Sequence, residues 1–263
     1  MTTVHDAPFP VEEIPRVPHA EAIELARSQN EAFVRELKRL EPADWDRVTD
    51  CAPWTVHDVA VHLLGWAEAV TSPKEFFRQT KETLRVRRQW SNIVDAQNAV
   101  QVEEGRHLPP EEILTRLERV LPRFAKLRGR VGNVLKPIPT YNGLLGFVSL
   151  GFVADTIFTR DTFMHRIDIA VATGKEMEQG PQEKRIVADC MKEWGKAAKA
   201  NARVVLGGPA GDDYRVGVGS AATIQASAVD FARLLAKRPR GESVAIEGDT
   251  EAAEKWIAIG CRF

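Results

Sequence analysis

Cysteine is scarce in this chain. Its 263 residues hold three, Cys51, Cys190 and Cys261, far apart and without a C-x-x-C pair. An odd, scattered set makes no disulfide framework and fits a reducing compartment, so the expected location is the cytoplasm. Net charge is equally scarce, with 36 Lys and Arg against 37 Asp and Glu. A dedicated nucleic-acid binder usually carries a strongly basic face, so no nucleic-acid partner is expected. The small cluster Arg85, Arg87 and Arg88 reads as a solvated helix face. No run reaches 18 uninterrupted apolar residues, so no membrane span is expected. The nearest candidate, GLLGFVSLGFVADTIF, is interrupted by Asp155 and reads as a buried core helix. The first residues lack a basic start followed by an apolar run, so no signal peptide is expected.

What the chain does have is helical periodicity. Residues 1–18 hold four prolines and read as an arm. From His19, the residues Ala22, Ile23, Ala26, Phe33, Val34, Leu37 and Leu40 recur at helical spacing. Thr55 followed by Asp58 has the form of a capping box, which predicts a second helix from Val56. Residues 73–106 carry another helical stretch. Pro109 and Pro110 open a further helix whose face holds Ile113, Leu114, Leu117, Val120, Leu121 and Phe124. Residues 144–172 read as largely helical, with Gly174 as the C-cap. Long helices with short breaks predict a helical bundle over residues 19–201. Beyond it the texture changes. RVVLGG, YRVGVGS, ATIQASA and VAIEGD are strand candidates, and AVDFARLLAK and TEAAEKWIAI are short helices. Residues 202–263 therefore read as a small α+β domain, and the helix over 182–201 fits either part.

One segment conflicts with a core role. RDTFMHRIDIA places Arg160, Asp161, His165, Arg166 and Asp168 in a stretch that otherwise reads as buried helix. Buried charge is costly unless it is paired or bound. Asp161 and His165 are four residues apart, so they share one helix face and can grip one metal ion. Taken alone, that spacing reads first as an exposed ion-pair contact. His62, in the apolar stripe DVAVHLLGW, reads alone as a core histidine bonded to a carbonyl. His57 reads as a solvated residue in the first turn, and Asp58 as a cap. Together, His62, Asp161 and His165 supply two imidazoles and a carboxylate from two helices. That set holds a divalent metal with coordination positions left open, and suits zinc or non-haem iron.

Two motifs then carry a family resemblance. Trp45, Thr49, Cys51, Trp54, Thr55, Val56, Asp58, His62 and Leu63 form a pattern that resembles the signature of the mycothiol-dependent maleylpyruvate isomerase family, within the DinB-like superfamily. Arg160, Asp161, His165 and Asp168 resemble its second motif, about 100 residues on. The resemblance implies a mainly α fold: a DinB-like four-helix bundle followed by a small α+β C-terminal domain. It implies zinc, or another divalent metal, held by His62, Asp161 and His165. The resemblance implies Glu at this ligand position in the isomerase itself, where this chain has Asp161, a side chain one methylene shorter. The implied cofactor is mycothiol or a similar thiol, and the implied partner is a small electrophilic substrate. A cation at sulfur favours the thiolate, which is the nucleophile. Addition to a double bond, rotation and elimination would isomerise the substrate; retention of the adduct would be thiol transfer. Asp168 and Arg160 are the candidate catalytic residues. Asp168 can orient a ligand or pair with a surface cation, and Arg160 can meet a substrate carboxylate or form an ordinary ion pair. Trp45 and Trp54 read as loop packing and Cys51 as a small buried residue. Asn98 is a further residue whose place relative to the site stays open. The competing functions are a non-catalytic metal- or ligand-binding module and a non-haem iron oxygenase.

Overall fold

The computed structural model describes residues 7–142 and 146–263. In chain order its elements begin with a two-residue strand, β1 (Phe9–Pro10), and the helix α1 (His19–Leu37). Next come α2 (Val56–Thr71), α3 (Pro73–Val86), α4 (Ile93–Gly105) and α5 (Pro110–Leu135). A hairpin of β2 (Pro139–Asn142) and β3 (Gly146–Ser149) leads into a single turn, α6 (Leu150–Phe152). A π-helical stretch, Val153–Ile157, joins that turn to α7 (Phe158–Thr173). The chain closes with α8 (Pro181–Ala198), β4 (Ala202–Gly207), β5 (Asp213–Val216), β6 (Ala222–Ser227), α9 (Ala228–Leu235), β7 (Ala245–Gly248) and α10 (Thr250–Ile259). The fold is mainly helical with a small sheet-bearing region. Among the described residues no helix is long and apolar enough to cross a membrane.

Internal contacts divide the chain into two units: residues 18–177, and residues 1–17 with 178–263. The change of texture at 201/202 falls inside the second of these units. In the first unit, α1 packs on α5 and α7, and α2 packs on the same two helices, which closes a ring of four. The core inside holds Phe33 and Leu37 of α1, Val59, Ala60, Leu63 and Leu64 of α2, Ile113, Leu117, Leu121 and Phe124 of α5, and Ile169 of α7. Each large apolar side chain so buried contributes about 1.5–3 kcal/mol.

The cap read at α2 is present in both directions. Thr55 Oγ accepts from the Asp58 amide at 3.2 Å, and Asp58 Oδ2 accepts from the Thr55 amide at 3.0 Å. The stretch over 73–106 is two helices, each with its own cap: Ser72 accepts from the Glu75 amide, and Asn92 from the amides of Val94 and Asp95. Both helices lie along α2. A Cβ on Gly65 would stand 2.7 Å from Gln101 Cγ, and one on Gly105 would stand 2.1 Å from Val61 Cγ1, so α4 approaches α2 as closely as it does only because both positions are glycine.

The helix expected over 144–172 begins later. Leu144 lies outside the described residues, and residues 146–149 pair antiparallel with β2. Ser149 Oγ then accepts from the Phe152 amide and starts the helix. An apolar run without polar periodicity fits either state, and here the hairpin partner decides it. Gly174 ends α7 with φ 67°, the left-handed cap that the sequence suggests. Arg128 braces the π-helical stretch by donating to the Ala154 carbonyl at 2.6 Å and to Thr159 just beyond it at 2.8 Å.

In the second unit the strand order is β1-β5-β4-β6-β7, with β4 parallel to β6. The four expected strands and two helices are all present. The arm is more than an arm. Phe9 and Pro10 pair with β5 at the sheet edge, the place where proline is tolerated, while Val11 and Ile14 are buried. Helix α8, which the sequence leaves open between the two parts, groups with this unit.

Candidate metal centre

Helix α7 is buried nearly all round, so its polar groups must find partners within the protein. Arg166, fully buried, donates from Nε and Nη2 to the two carboxylate oxygens of Glu36 on α1, at 2.9 and 2.7 Å, and from Nη1 to Gln29. This bidentate pair accounts for one of the charges that the sequence left unassigned. Asp161 and His165 lie one turn apart and face α2, where His62 occupies the second turn.

Three donors converge there. Asp161 Oδ2 is 3.6 Å from His62 Nε2, and Asp161 Oδ1 is 3.5 Å from His165 Nε2. One donor atom from each of the three residues lies within 4.8 Å of the others. Zinc–nitrogen bonds of roughly 2.0–2.1 Å at tetrahedral angles put neighbouring ligand atoms about 3.3 Å apart, so the spacing fits a shared cation. Both histidines are almost wholly buried, at 2 and 4% exposure, whereas the Asp161 side chain is 25% exposed and leaves the cluster open on one side.

The second nitrogen of His165 is committed. Its Nδ1 lies 3.1 Å from Asp168 Oδ2, and Asp168 is completely buried. A carboxylate on Nδ1–H turns the Nε2 lone pair inward, which is the usual support for a metal-ligating histidine. The Asp168 carboxylate thus contacts His165 inside the protein, away from solvent. Arg160, the other candidate, is buried one residue before Asp161 and so about 100° round the helix, off the stripe that carries the donors.

The two imidazoles are driven in opposite directions. Burial holds the His62 imidazole below its ordinary pKa, only partly offset by Asp161, so it stays neutral. Burial also works against a charged His165, but Asp161 and Asp168 outweigh it and push its pKa up to about 10 without metal. Burial would raise Asp161, yet the His165 charge and contacts with both imidazoles pull it below the carboxylate range. A proton on His165 is therefore the competitor that any metal must displace.

The loop before α2 forms one wall. Thr49 binds Trp54 through its amide and hydroxyl, at 2.8 and 2.9 Å to the Trp54 carbonyl, and accepts from the Cys51 amide. That folding lays Trp54 against both imidazoles, with ring centroids 4.8 Å from His62 and 6.1 Å from His165. Trp54 therefore contacts the site, beyond the loop packing expected of it. Cys51 is half-buried, and its Sγ lies within 4.8 Å of donor atoms of His165 and Asp168, so it also adjoins the site. The sequence signal for both was their place in the first motif. Trp45 is buried core. His57 is not left to solvent: its Nε2 meets the Leu108 carbonyl at 2.8 Å. Asn98 accepts from Trp66 Nε1 at 3.1 Å.

With fold and geometry in place, the class is a mainly helical protein with a two-histidine, one-carboxylate cluster between two helices. Residues 26–170, more than half of the chain, match the family model described as "Mycothiol maleylpyruvate isomerase N-terminal domain". The chain belongs to the mycothiol maleylpyruvate isomerase family. Among solved structures it is similar to a crystal structure of the mycothiol-dependent maleylpyruvate isomerase and to one of a histidine-to-alanine mutant of that enzyme. The TM-score is 0.57 for both, at 17 and 16% identity, over 88% of this chain and 93% of each of theirs. At that identity the likeness establishes the fold. No curated protein sequence matches the chain.

Proposed function

We propose that this protein is a metal-dependent enzyme that uses a low-molecular-weight thiol such as mycothiol on a small electrophilic substrate, by isomerisation or by thiol transfer. The observation that carries the reading is the convergence of His62 Nε2, His165 Nε2 and the Asp161 carboxylate at spacings suited to one cation. Two imidazoles and a carboxylate on a buried, one-side-open cluster suit zinc with an unfilled position. A cation there supplies the acidity that turns a thiol into a thiolate near neutral pH. The protein's own groups do the rest. Asp168 holds the His165 Nδ1 proton and keeps that ring in register. Trp54 covers both imidazoles and excludes water from that side. The exposed flank of Asp161 is the direction of approach for thiol and substrate. Asp161 in place of the Glu implied for the isomerase itself changes the pocket by one methylene, which bears on substrate choice more than on metal binding.

The test is metal analysis of protein purified without added metal, followed by incubation with mycothiol and a panel of electrophiles. The expected result is stoichiometric zinc, lost together with activity in His165→Ala, and consumption of thiol or appearance of an isomer in the wild type. Stoichiometric metal in His165→Ala would refute the ligand assignment. Thiol binding without turnover across the panel would point to a non-catalytic binding module, and iron with oxygen uptake to an oxygenase.

A further inference from the structure

His62 differs from His165 in one respect. Its Nδ1 is fully buried and, among the described residues, makes no hydrogen bond. The Oε1 of Gln101 on α4 is buried and orphaned in the same way. Gln101 runs along α2 over Gly65, one turn from His62, and is the neutral polar side chain that interacts with the His62 ring. We propose that these two orphaned atoms are each other's partners, and that Gln101 and Gln79 form an amide relay that positions His62 for the metal. The proposal rests on the metal reading of the site.

The direction of the relay follows from its far end. Gln79 Nε2 lies 3.1 Å from the Gly65 carbonyl and 3.0 Å from Glu75 Oε1. Both are acceptors only: one is a backbone carbonyl, and the other a carboxylate held ionised by Arg78, whose guanidinium donates to both its oxygens at 2.9 and 2.5 Å. The Gln79 amide nitrogen must therefore face them, which turns Gln79 Oε1 towards Gln101. Gln101 Nε2 donates to it at 3.0 Å. With Nε2 turned to Gln79, the buried Gln101 atom without a partner is Oε1, and an oxygen acceptor requires a proton on His62 Nδ1. With the proton on Nδ1, the Nε2 lone pair faces Asp161 and the metal position. Asp161 competes for the proton from the other side, but it stands 3.6 Å from His62 Nε2 and is shared with His165 Nε2 at 3.5 Å. Without the relay the proton can settle on Nε2, where a metal must displace it before binding. The two histidines are thus set by different devices: His165 by a buried carboxylate, His62 by a chain of neutral amides anchored at a surface ion pair.

The experiment reads the tautomer directly. Long-range proton–nitrogen NMR on the full-length, metal-free protein is expected to show His62 protonated at Nδ1 and bare at Nε2. Gln101→Leu should shift the proton to Nε2 and weaken zinc binding, measured by chelator competition, by about 10–100-fold, the usual loss when a metal-ligand histidine loses its support. Gln101→Glu, which still offers Nδ1–H an acceptor, should keep the wild-type tautomer. A wild-type His62 protonated at Nε2 would overturn the relay, even if Gln101→Leu failed to fold. So would a Gln101→Leu protein with unchanged tautomer and affinity. The expected tautomers in a wild type that binds no metal would uphold the relay and overturn the metal reading instead.

Discussion

The Arg166–Glu36 pair offers the sharpest energetic test of how α7 carries its buried charge. Glu36→Ala removes both oxygens that accept from Arg166 and leaves a guanidinium with no exposed surface facing a small void. Coulomb attraction is not the relevant magnitude, because both ions lost their water on folding. What counts is the asymmetry between breaking the pair and replacing it. Removing one partner of a buried pair costs about 3–5 kcal/mol, whereas exchanging both for well-packed apolar groups is neutral or better. The retained bond to Gln29 limits the cost towards the lower end. For a chain of this size the loss corresponds to a fall in Tm of roughly 6–20 °C, taking 2–4 °C per kcal/mol. Urea unfolding of the full chain, followed by helical circular dichroism, measures it directly. The double variant Glu36→Leu with Arg166→Met should recover most of the loss. A Glu36→Ala protein within 1 kcal/mol of wild type, or a double variant no better than the single, would refute the account of the pair as a coupled, desolvated unit.

Two further outcomes follow from the cluster itself. Asp168→Asn keeps an acceptor on His165 Nδ1 but removes its charge, so zinc affinity should fall about 10–100-fold with little change in helical content, as read by chelator competition and circular dichroism. The pH dependence has a definite sign. His165 is raised from 6.5 to about 10, so its contribution to metal-free stability is fully present below pH 6.5 and is lost as pH climbs towards 10. Asp161 is lowered from 3.8, so its contribution is present above pH 3.8 and is lost on acidification below it. Denaturation midpoints from pH 3 to 10 should therefore peak between those limits, and zinc affinity should rise about tenfold per pH unit through neutrality as the His165 proton is displaced.

Several of these features were legible in the sequence, for local reasons. The four-residue step from Asp161 to His165, the Thr55–Asp58 cap and the Gly174 stop depend on helix geometry alone, and all three sit where the spacing puts them. Joining His62 to the pair required motif resemblance, since no local rule links residues about 100 apart. What stayed hidden depends on non-local contacts. Phe9 and Pro10 carry no strand periodicity and become β1 only because an edge of the sheet receives them. GFVS became β3 because residues 139–142 pair with it. Gln79 and Gln101 look like ordinary polar positions on helices. Their burial follows from the close approach that Gly65 and Gly105 permit, and only that approach brings an amide to His62.

The partition of partners along α7 also decides what metal removal does. If the whole helix were held by one cation, chelation would unfold the bundle, as it does in small domains that depend on a metal to fold. Here the charges are divided. Arg166 is satisfied by Glu36 and Gln29 on α1, Asp168 is engaged by His165, and Ile167 and Ile169 are buried among apolar neighbours. His62, Asp161 and His165 are the proposed ligands, and without metal the carboxylate still lies between the two imidazoles. Chelator-treated protein should therefore keep its helical circular dichroism and lose only the linkage term. That term is about 2.7 kcal/mol when free zinc stands at 100 times its Kd, and about 4.1 kcal/mol at 1,000 times. The loss should be reversible on adding zinc back, and it should be absent in His165→Ala. Collapse of helical signal on chelation would show that the cation, and not the ring of α1, α2, α5 and α7, organises this unit.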